Sequence, residues 1–199
     1  MSRYRTPEIR SLCVFCGSSV GNDPAHRQAA ARLGAILAKH KVTLVFGGGH
    51  IGMMGAIAEA ALRGGGRVVG IIPEHLTRVE AAFLEVTELT VVDNMHTRKR
   101  RMFDMADAFC ILPGGMGTLD ETFEIITWKQ LRLHNKPIIL VNHRGYWTPF
   151  CVLVDSIIAN GFASPETATL FSVVDDVGEV LSAAQREMAA VIGGEPELF

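Results

Sequence analysis

The stretch Ala108-Phe-Cys-Ile-Leu-Pro-Gly-Gly-Met-Gly-Thr-Leu-Asp-Glu121 passes from five apolar residues directly into a loop with three glycines within four positions. The apolar run, Ala108–Leu112, has no polar alternation, which predicts a strand that is covered on both faces of a sheet. The residues that follow, Leu119–His134, have the spacing of an amphipathic helix. A buried strand that turns through glycines into a helix is typical of parallel α/β sheets, so this stretch predicts that fold class.

Short apolar runs and helix-period segments alternate in the same way along most of the chain. Asp23 and Thr148 each precede a proline, and both are predicted to cap a helix N-terminus. We therefore expect a single doubly wound, Rossmann-like α/β domain, with a mostly parallel sheet and helices on both faces. This domain would span residues 11–189, between an N-terminal arm at 1–10 and a C-terminal tail at 190–199. The other predicted strands are Leu12–Cys16, Val42–Phe46, Val68–Ile72, Leu89–Val92, Pro137–Val141 and Leu170–Val174, and the other predicted helices are Pro24–His40, Ile51–Arg63, Met95–Met105, Pro149–Asn160 and Val177–Ala189.

The composition argues against several classes of function. The 199 residues are 48% hydrophobic, which is enough for a folded core, and 19 Lys and Arg against 21 Asp and Glu give a net charge of −2. This balance argues against binding to nucleic acid or to an anionic membrane by bulk charge. No apolar run has the length of a membrane-spanning helix, and the N-terminus does not resemble a signal peptide. We expect a cytoplasmic protein without a nucleic-acid or membrane partner.

Cys13 and Cys16 have the C-x-x-C spacing of some metal and redox sites. Both fall in the first predicted strand, where residues three apart point to opposite faces of the sheet. Such a pair cannot easily share a metal ion, and no second Cys or His pair follows at the spacing of a zinc finger. The pattern favours two buried core cysteines.

Ligands of doubly wound sheets bind beyond the carboxyl ends of the strands, so the residues that follow each strand are candidate site residues. Gly17 and Ser18 follow the first strand, and Gly47-Gly-Gly-His-Ile-Gly52 follows the second with the pattern G-x-G-x-x-G. Glycine lets phosphate oxygens approach the backbone N–H groups at a helix start. The same glycines could instead serve a tight turn and close helix packing. The motif follows the second strand and not the first, which weakens a dinucleotide interpretation.

The second glycine loop, Pro113–Gly117, is followed by Thr118 and by the acidic pair Asp120-Glu121. Its glycines would form a nest of backbone N–H groups in front of a helix, which suits a phosphate. It lacks the lysine of a P-loop, so triphosphate hydrolysis is not expected. Thr118-x-x-Glu121 also fits a capping box, so the pattern leaves Glu121 as either a helix cap or a catalytic acid.

A run of four basic residues begins at Arg98, in the predicted helix after the fourth strand. Such a run commonly forms a solvated helix face. Arg98, however, precedes Met102 by one helical turn, which indicates a side that packs against the protein. From there its guanidinium could offer two parallel hydrogen bonds to an anion. His96 could contact a ligand or be structural.

The segment Pro113–Glu121 matches the signature P-G-G-x-G-T-x-x-E, and with four other segments it makes the sequence resemble the LOG family. The family consists of cytokinin riboside 5′-monophosphate phosphoribohydrolases, whose bacterial members were long described as lysine decarboxylases. The resemblance implies a Rossmann-like homodimer that hydrolyses the N-glycosidic bond of AMP or of N6-substituted forms. The products would be the free base and ribose 5-phosphate. The four other segments are Cys13–Ser19, Gly47–Gly55, Met95–Lys99 and Ile126–Trp128.

The resemblance also implies the catalytic pair, Arg98 and Glu121. An ionised Glu121 near C1′ would stabilise the positive charge that develops on the ribose and could deprotonate the attacking water. Arg98 would either keep Glu121 ionised through a two-pronged ion pair or hold the phosphate or ribose of the substrate. Together with the strand-end loops, the candidate substrate-binding residues are Gly17, Ser18, Gly47, Gly48, Gly49, Lys99, Gly114, Gly115, Met116, Gly117, Thr118, Leu119, Asp120 and Thr127.

Three other functions compete with this hydrolase. A pyridoxal-phosphate decarboxylase would need a Schiff-base lysine and a larger fold, and a dinucleotide-dependent oxidoreductase would leave Pro113–Glu121 unused. A non-catalytic nucleotide carrier or sensor would share the glycine loops, and only the pair Arg98 and Glu121 argues against it. We expect the hydrolase, with a nucleoside 5′-monophosphate as its partner and with no cofactor and no metal. The apolar segment Leu119–Leu133 could form the face of a homodimer or pack in the core.

Overall fold

Seven strands and six α-helices alternate along residues 8–193, the part of the chain that the computed structural model describes. All seven predicted strands and all six predicted helices are present in this range, so the predicted element order is confirmed. The strands are β1 Ser11–Phe15, β2 Thr43–Phe46, β3 Val68–Pro73, β4 Glu88–Val92, β5 Ala108–Ile111, β6 Ile138–Val141 and β7 Ser172–Val174. The helices are α1 Pro24–Lys39, α2 Gly52–Arg63, α3 Met95–Met105, α4 Met116–Gln130, α5 Thr148–Ala159 and α6 Val180–Gly193.

The seven strands form one sheet in the order β4-β3-β2-β1-β5-β6-β7, and every neighbouring pair is parallel. The chain builds outward from β1 to one edge and then returns to the other side of β1 with β5. Leu12 therefore pairs with Ala108, and Phe15 pairs with Ile111. The carboxyl ends of β1 and β5 lie side by side where the direction of winding reverses, which is the place where doubly wound sheets bind ligands.

Successive residues of β1 face two different layers of helices. Leu12 and Val14 belong to an apolar cluster with residues of α1, α2 and α6, whereas Cys13 and Phe15 belong to a second cluster with residues of α3, α4 and α5. This alternation is what strands covered on both faces require. The predicted doubly wound, Rossmann-like α/β fold is therefore confirmed.

The same alternation separates Cys13 from Cys16, which lie in different clusters and are both free thiols. Their interpretation as core cysteines is confirmed. Burial raises the pKa of both thiols, so neither is a reactive thiolate at neutral pH. Within residues 8–193, no cluster of three or more His, Cys, Asp or Glu side chains could hold a metal ion.

The bounds of α4 differ from the prediction at both ends. The helix begins at Met116, before the predicted start at Leu119, because Gly115 is extended and the residues after it already have helical geometry. It ends at Gln130, before the predicted end at His134, because Arg132 has a left-handed φ of 59°. The imidazole Nε2 of His134 lies 2.9 Å from the carbonyl oxygen of Ile125, near the end of the helix.

One of the two predicted N-caps is confirmed. The carboxylate of Asp23 accepts a hydrogen bond of 2.9 Å from the N–H of Ala25 at the start of α1. The prediction for Thr148 is wrong, because Thr148 is already the first residue of α5 and Trp147 precedes it without a side-chain cap. The hydroxyl of Thr148 instead accepts a hydrogen bond from the side-chain amide of Asn142.

The predicted arm and tail lie partly outside the described residues, so the domain bounds 11–189 stay a prediction. Within the arm, Ile9 is buried and the N–H of Arg10 donates to the Asp107 carboxylate over 2.9 Å. Helix α6 continues past the predicted end at Ala189, to Gly193. No helix between residues 8 and 193 is both long enough and apolar enough to cross a membrane.

Candidate active site

A cavity of about 220 Å³ lies at the carboxyl ends of β1 and β2 and beside the N-terminus of α4. Both predicted catalytic residues, Arg98 of α3 and Glu121 of α4, line it. The predicted binding residues that also line it are Gly17, Ser18, Gly47, Gly115, Met116, Gly117 and Thr118. The fold therefore brings a cation, an acid and a helix start into one cavity at the winding reversal of the sheet.

The N-terminus of α4 forms an exposed set of backbone donors in this cavity. Gly115 is its N-cap and supplies no side chain, and the first N–H groups of a helix have no partner inside the helix. A Cβ built on Gly115 or on Gly117 would meet no atom within 4 Å, so the space beside these two residues is open. Unpaired N–H groups, the positive end of a helix dipole and open space favour an anion.

Glu121 lies one helical turn after Thr118, on the side of α4 that faces the cavity. The capping-box alternative is wrong, because Gly115 and not Thr118 is the N-cap. Among the described residues, none donates a hydrogen bond to the Glu121 carboxylate. Burial raises the pKa of Glu121 to about 7, the charge of Arg98 opposes this rise, and the charge of Glu80 adds to it. Near neutral pH, Glu121 can therefore exist as an acid or as a base.

The guanidinium of Arg98 is buried and is held by protein groups on one side. Its Nη2 donates to the carbonyl oxygen of Gly47 over 2.9 Å and to a carboxylate oxygen of Glu80 over 3.3 Å. Of the two roles left open for Arg98, the ion pair with Glu121 is not formed, since Glu80 is the acid within bonding distance of Arg98 in the part of the chain that is described. The other role, contact with the phosphate or ribose of the substrate, stays a prediction. The Nε of Arg98 is buried and has no hydrogen-bond partner there. Nη1 contacts the sulfur of Met95 at 3.8 Å, so Nε is a donor of this buried cation that stays available to a ligand.

The first glycine loop accommodates protein groups. A Cβ on Gly47 would overlap Nη2 of Arg98, so only glycine fits beneath the guanidinium. Gly48 has a φ of 78°, and Gly49 packs against the backbone of Glu80. Gly48 and Gly49 do not line the cavity, so this placement supports the tight-turn alternative for them.

The remaining candidate residues lie around the cavity and not in its wall. Lys99 is only 11% exposed, and its Nζ pairs with Asp120 at 3.1 Å and with Glu124 at 3.0 Å, which links α3 to α4. Gly114 and Leu119 line neighbouring cavities, and Thr127 is exposed further along α4. Direct contact of these residues, or of Asp120, with substrate stays a prediction.

The sequence patterns did not point to Glu80, the ion-pair partner of Arg98. It lies seven residues after the end of β3, outside both glycine loops and outside the segments that carry the resemblance to the LOG family. The signal that could have identified it is an acid in the connection after β3, at the same edge of the sheet as the glycine loops. The apolar side of the cavity was also missed, and it consists of Val14, Phe15, Met54, Leu76, Met95 and Met102.

Comparison with known proteins identifies the family. The family model described as "Possible lysine decarboxylase" matches residues 54–184, which include Arg98 and Glu121. The chain is 42% identical over 184 residues to the cytokinin riboside 5′-monophosphate phosphoribohydrolase of Rhodococcoides fascians, which is 92% of this chain and 93% of that protein. The chain belongs to the LOG family. Another LOG family relative is the Arabidopsis thaliana protein of the same name, which is 44% identical over 79% of this chain and 74% of its own length.

Among solved structures, this LOG family chain resembles proteins of a different description. The Moco carrier protein of Chlamydomonas reinhardtii matches with a TM-score of 0.69 and 20% identity, over 94% of this chain and 99% of that chain. The molybdenum cofactor binding protein of Rippkaea orientalis matches with a TM-score of 0.66 and 21% identity, over 90% of this chain and 95% of that chain. At such low identity the similarity shows the fold alone.

Proposed function

We propose that this member of the LOG family hydrolyses the N-glycosidic bond of AMP or of N6-substituted cytokinin riboside 5′-monophosphates, releasing the free base and ribose 5-phosphate. One observation carries the proposal: the N-terminus of α4, the carboxyl of Glu121 and the buried Arg98 line the same cavity. The relatives that bear the name of this activity are 42% and 44% identical to the chain, which supports the same assignment.

The geometry of α4 supports one orientation of the substrate. The 5′-phosphate would bind the N–H groups between Gly115 and Thr118, where the cavity is open. Glu121 follows Thr118 by three residues, a rise of about 4.5 Å along the helix. That rise is comparable to the separation of the phosphate and C1′ in a nucleotide, so Glu121 would lie beside the reacting carbon. The base would then face the apolar side of the cavity, with Met54 and Met95.

The reaction follows from these groups. Water adds to C1′, the C1′–N bond breaks, and the base leaves with one proton, so that the products together contain the atoms of the substrate and the water. The transition state carries positive charge on the ribose, which an ionised Glu121 stabilises. Because the pKa of Glu121 is about 7, the carboxylate can also take a proton from the water. The free Nε of Arg98 would donate to an oxygen of the substrate.

The assay that tests this function compares AMP, N6-isopentenyl-AMP and adenosine as substrates, with base and ribose 5-phosphate separated by chromatography. We expect base from both monophosphates. Adenosine lacks the phosphate that anchors the substrate to α4, so its kcat/KM should be lower by about 100-fold or more. Binding of AMP without release of adenine would favour the nucleotide carrier and would reject the hydrolase.

We also propose that the protein is a homodimer that uses the exposed apolar face of α4 and α5. Phe123 of α4, Leu153 of α5 and Tyr146, which precedes α5, line a cavity of about 280 Å³ together with Trp147 and Phe150. Val152 and Leu153 are exposed on α5, although helices of a monomer normally present polar residues to water. A second copy that covers this face would remove these side chains from water.

Leu153→Glu is expected to convert the dimer to a monomer, because it places a charge on the exposed apolar face while leaving the core intact. Light scattering after size exclusion at several protein concentrations would measure the mass. Val91→Glu is the matched control, since Val91 is comparably exposed on the edge strand β4. A wild-type protein that stays monomeric at high concentration would contradict the proposal.

The net charge of −2 argues against binding to nucleic acid or to an anionic membrane by bulk charge. We propose that it works in the cytoplasm, without nucleic acid and without attachment to a membrane. Nothing in the proposed reaction requires a metal or an organic cofactor, because the charge of the transition state can be stabilised by Glu121.

A further inference from the structure

The connection between β3 and β4 includes a strap, residues 76–83, that lies over the first glycine loop. Backbone hydrogen bonds hold it there. The N–H of His50 donates to the carbonyl oxygens of Glu80 at 3.1 Å and of Ala81 at 2.9 Å. The N–H of Phe83 donates to the carbonyl oxygen of Gly48 at 2.9 Å. The ring of Phe83 is buried and stacks on His50, with 3.9 Å between the ring centroids. Ala81 has a φ of 46°, a conformation that alanine rarely adopts. The strap is therefore fixed to the sheet edge by its backbone.

This fixed backbone places the side chain of Glu80 in the cavity. Its carboxylate is 16% exposed and lies 3.3 Å from Nη2 of Arg98, whose side chain is 5% exposed. Nη2 is thereby shared between Glu80 and the carbonyl oxygen of Gly47. Glu121 lines the same cavity but makes no ion pair within the described residues. Two acids thus compete for one buried cation, and only Glu80 is bonded to it.

We propose that Glu80 is a positioning residue that holds Arg98 away from Glu121. The proposal rests on the function proposed above. A buried arginine and a half-buried glutamate that share a cavity attract each other, because the cavity screens their charges less than bulk water does. If they paired, Arg98 would lose the donor that is free for substrate and Glu121 would lose its basicity. Glu80 prevents this by occupying the side of the guanidinium that also faces Gly47.

The first test is Glu80→Gln, with Glu85→Gln as the matched control because Glu85 is exposed in the same connection. A glutamine at position 80 leaves the guanidinium without its counter-charge, so Arg98 turns towards Glu121. We expect kcat with AMP at pH 8 to fall by about 10- to 100-fold, as a displaced catalytic group does, with KM changed less than about threefold. Glu80→Asp keeps the charge and is expected to recover part of kcat. Glu85→Gln should behave as wild type.

The pH profile distinguishes positioning from general damage to the fold. The groups that face Glu121 are Arg98 and Lys99 from α3, Glu80 from the strap and Asp120 from α4, while the Cys13 and Cys16 thiols of β1 stay neutral. Glu80→Gln removes a negative charge and lets Arg98 approach Glu121, and both changes lower the pKa of Glu121. The acidic limb of kcat/KM is expected to move from near pH 7 to lower pH by about one unit. A fall in kcat with an unmoved limb, or a kcat within about twofold of wild type, would overturn the proposal.

A measurement without substrate separates this proposal from the proposed function. Urea unfolding of Glu80→Gln, Arg98→Gln and the double variant forms a thermodynamic cycle. We expect the effects to be non-additive by about fivefold or more in the unfolding equilibrium constant, because the two side chains form a buried pair. Additive effects would contradict the assignment of Glu80. If coupling is present and the wild type releases no base from either nucleotide, the proposed function fails while the pairing of Glu80 with Arg98 stands.

Discussion

Glu121→Gln is expected to lower the release of base from AMP by about 1,000-fold or more, while the affinity for AMP changes only a few-fold. Glutamine fills the same volume but can neither stabilise a positive ribose nor take a proton from water, and these two effects are each worth about 100-fold or more. The phosphate would still bind the N–H groups at the start of α4, which the substitution does not touch. Chromatography of the products and calorimetric titration with AMP would measure both quantities.

The same variant is expected to be more stable than the wild type at high pH. The folded protein raises the pKa of Glu121 from 4.5 to about 7, so ionising the carboxyl costs folding free energy. This cost is absent below pH 4, grows between pH 4.5 and pH 7, and is complete above pH 7. Glu121→Gln should therefore raise the free energy of unfolding by about 2 kcal/mol at pH 8 and by little at pH 4.5. Urea unfolding at the two pH values would measure it.

Asp104→Asn is the control for Glu121→Gln, because Asp104 is an exposed acid on α3 that pairs with Arg100. It should change neither turnover nor the pH dependence of stability by more than a small amount. Two results would count against the role of Glu121: turnover that survives in Glu121→Gln, or a loss of turnover that follows a loss of AMP binding.

Gly47→Ala is expected to lower kcat/KM by about 100-fold, although it adds a single methyl group. The new Cβ would overlap Nη2 of Arg98, and the neighbouring sulfur of Met54 leaves the Cβ no room to move away from the guanidinium. The guanidinium must therefore shift, and misplacing a catalytic group by about 1 Å can cost about 100-fold in rate. The fold should persist, because Gly47 does not have the left-handed φ of its neighbour Gly48.

The control for Gly47→Ala is the same substitution made in an Arg98→Ala background. If Gly47→Ala acts by displacing Arg98, adding it to Arg98→Ala should lower kcat/KM by less than about threefold more. An additive loss in the double variant would mean that Gly47 acts on substrate directly. Arg101→Lys, an exposed position on the same helix, should leave kcat/KM unchanged.

The element order and the place of the cavity could be predicted from the sequence because they depend on local patterns. The run Ala108–Leu112 has no polar residue, and a run of this kind can only be a strand buried on both faces or part of a buried helix. The loop of Pro113 and glycines that follows it, and the helix-period segment after the loop, leave the strand as the consistent choice. The carboxyl ends of parallel strands then lie at one edge, which brings Arg98 and Glu121 together without any knowledge of distances.

The pairing of Arg98 could not be predicted in this way. Glu80 and Glu121 are both acids in segments that follow strands, and sequence spacing does not say which of them reaches the guanidinium. The outcome depends on the strap, which is held by backbone hydrogen bonds that any sequence can make. For a related reason, the sequence does not predict that Gly47 makes room for the guanidinium of Arg98. A glycine that makes room for an arginine 51 residues later looks the same in sequence as a glycine that binds phosphate.

The backbone anchoring of the strap separates two properties of the cavity, the shape of its apolar side and the position of the acid that holds Arg98. Leu76 and Glu80 both reach the cavity from it, the first on its apolar side and the second on the guanidinium. Because main-chain contacts fix the strap, Leu76 can vary in size while Glu80 keeps its position. Substitutions at Leu76 alone could therefore change which bases natural variants of this enzyme accept, while Glu80 and Arg98 keep their places in the cavity.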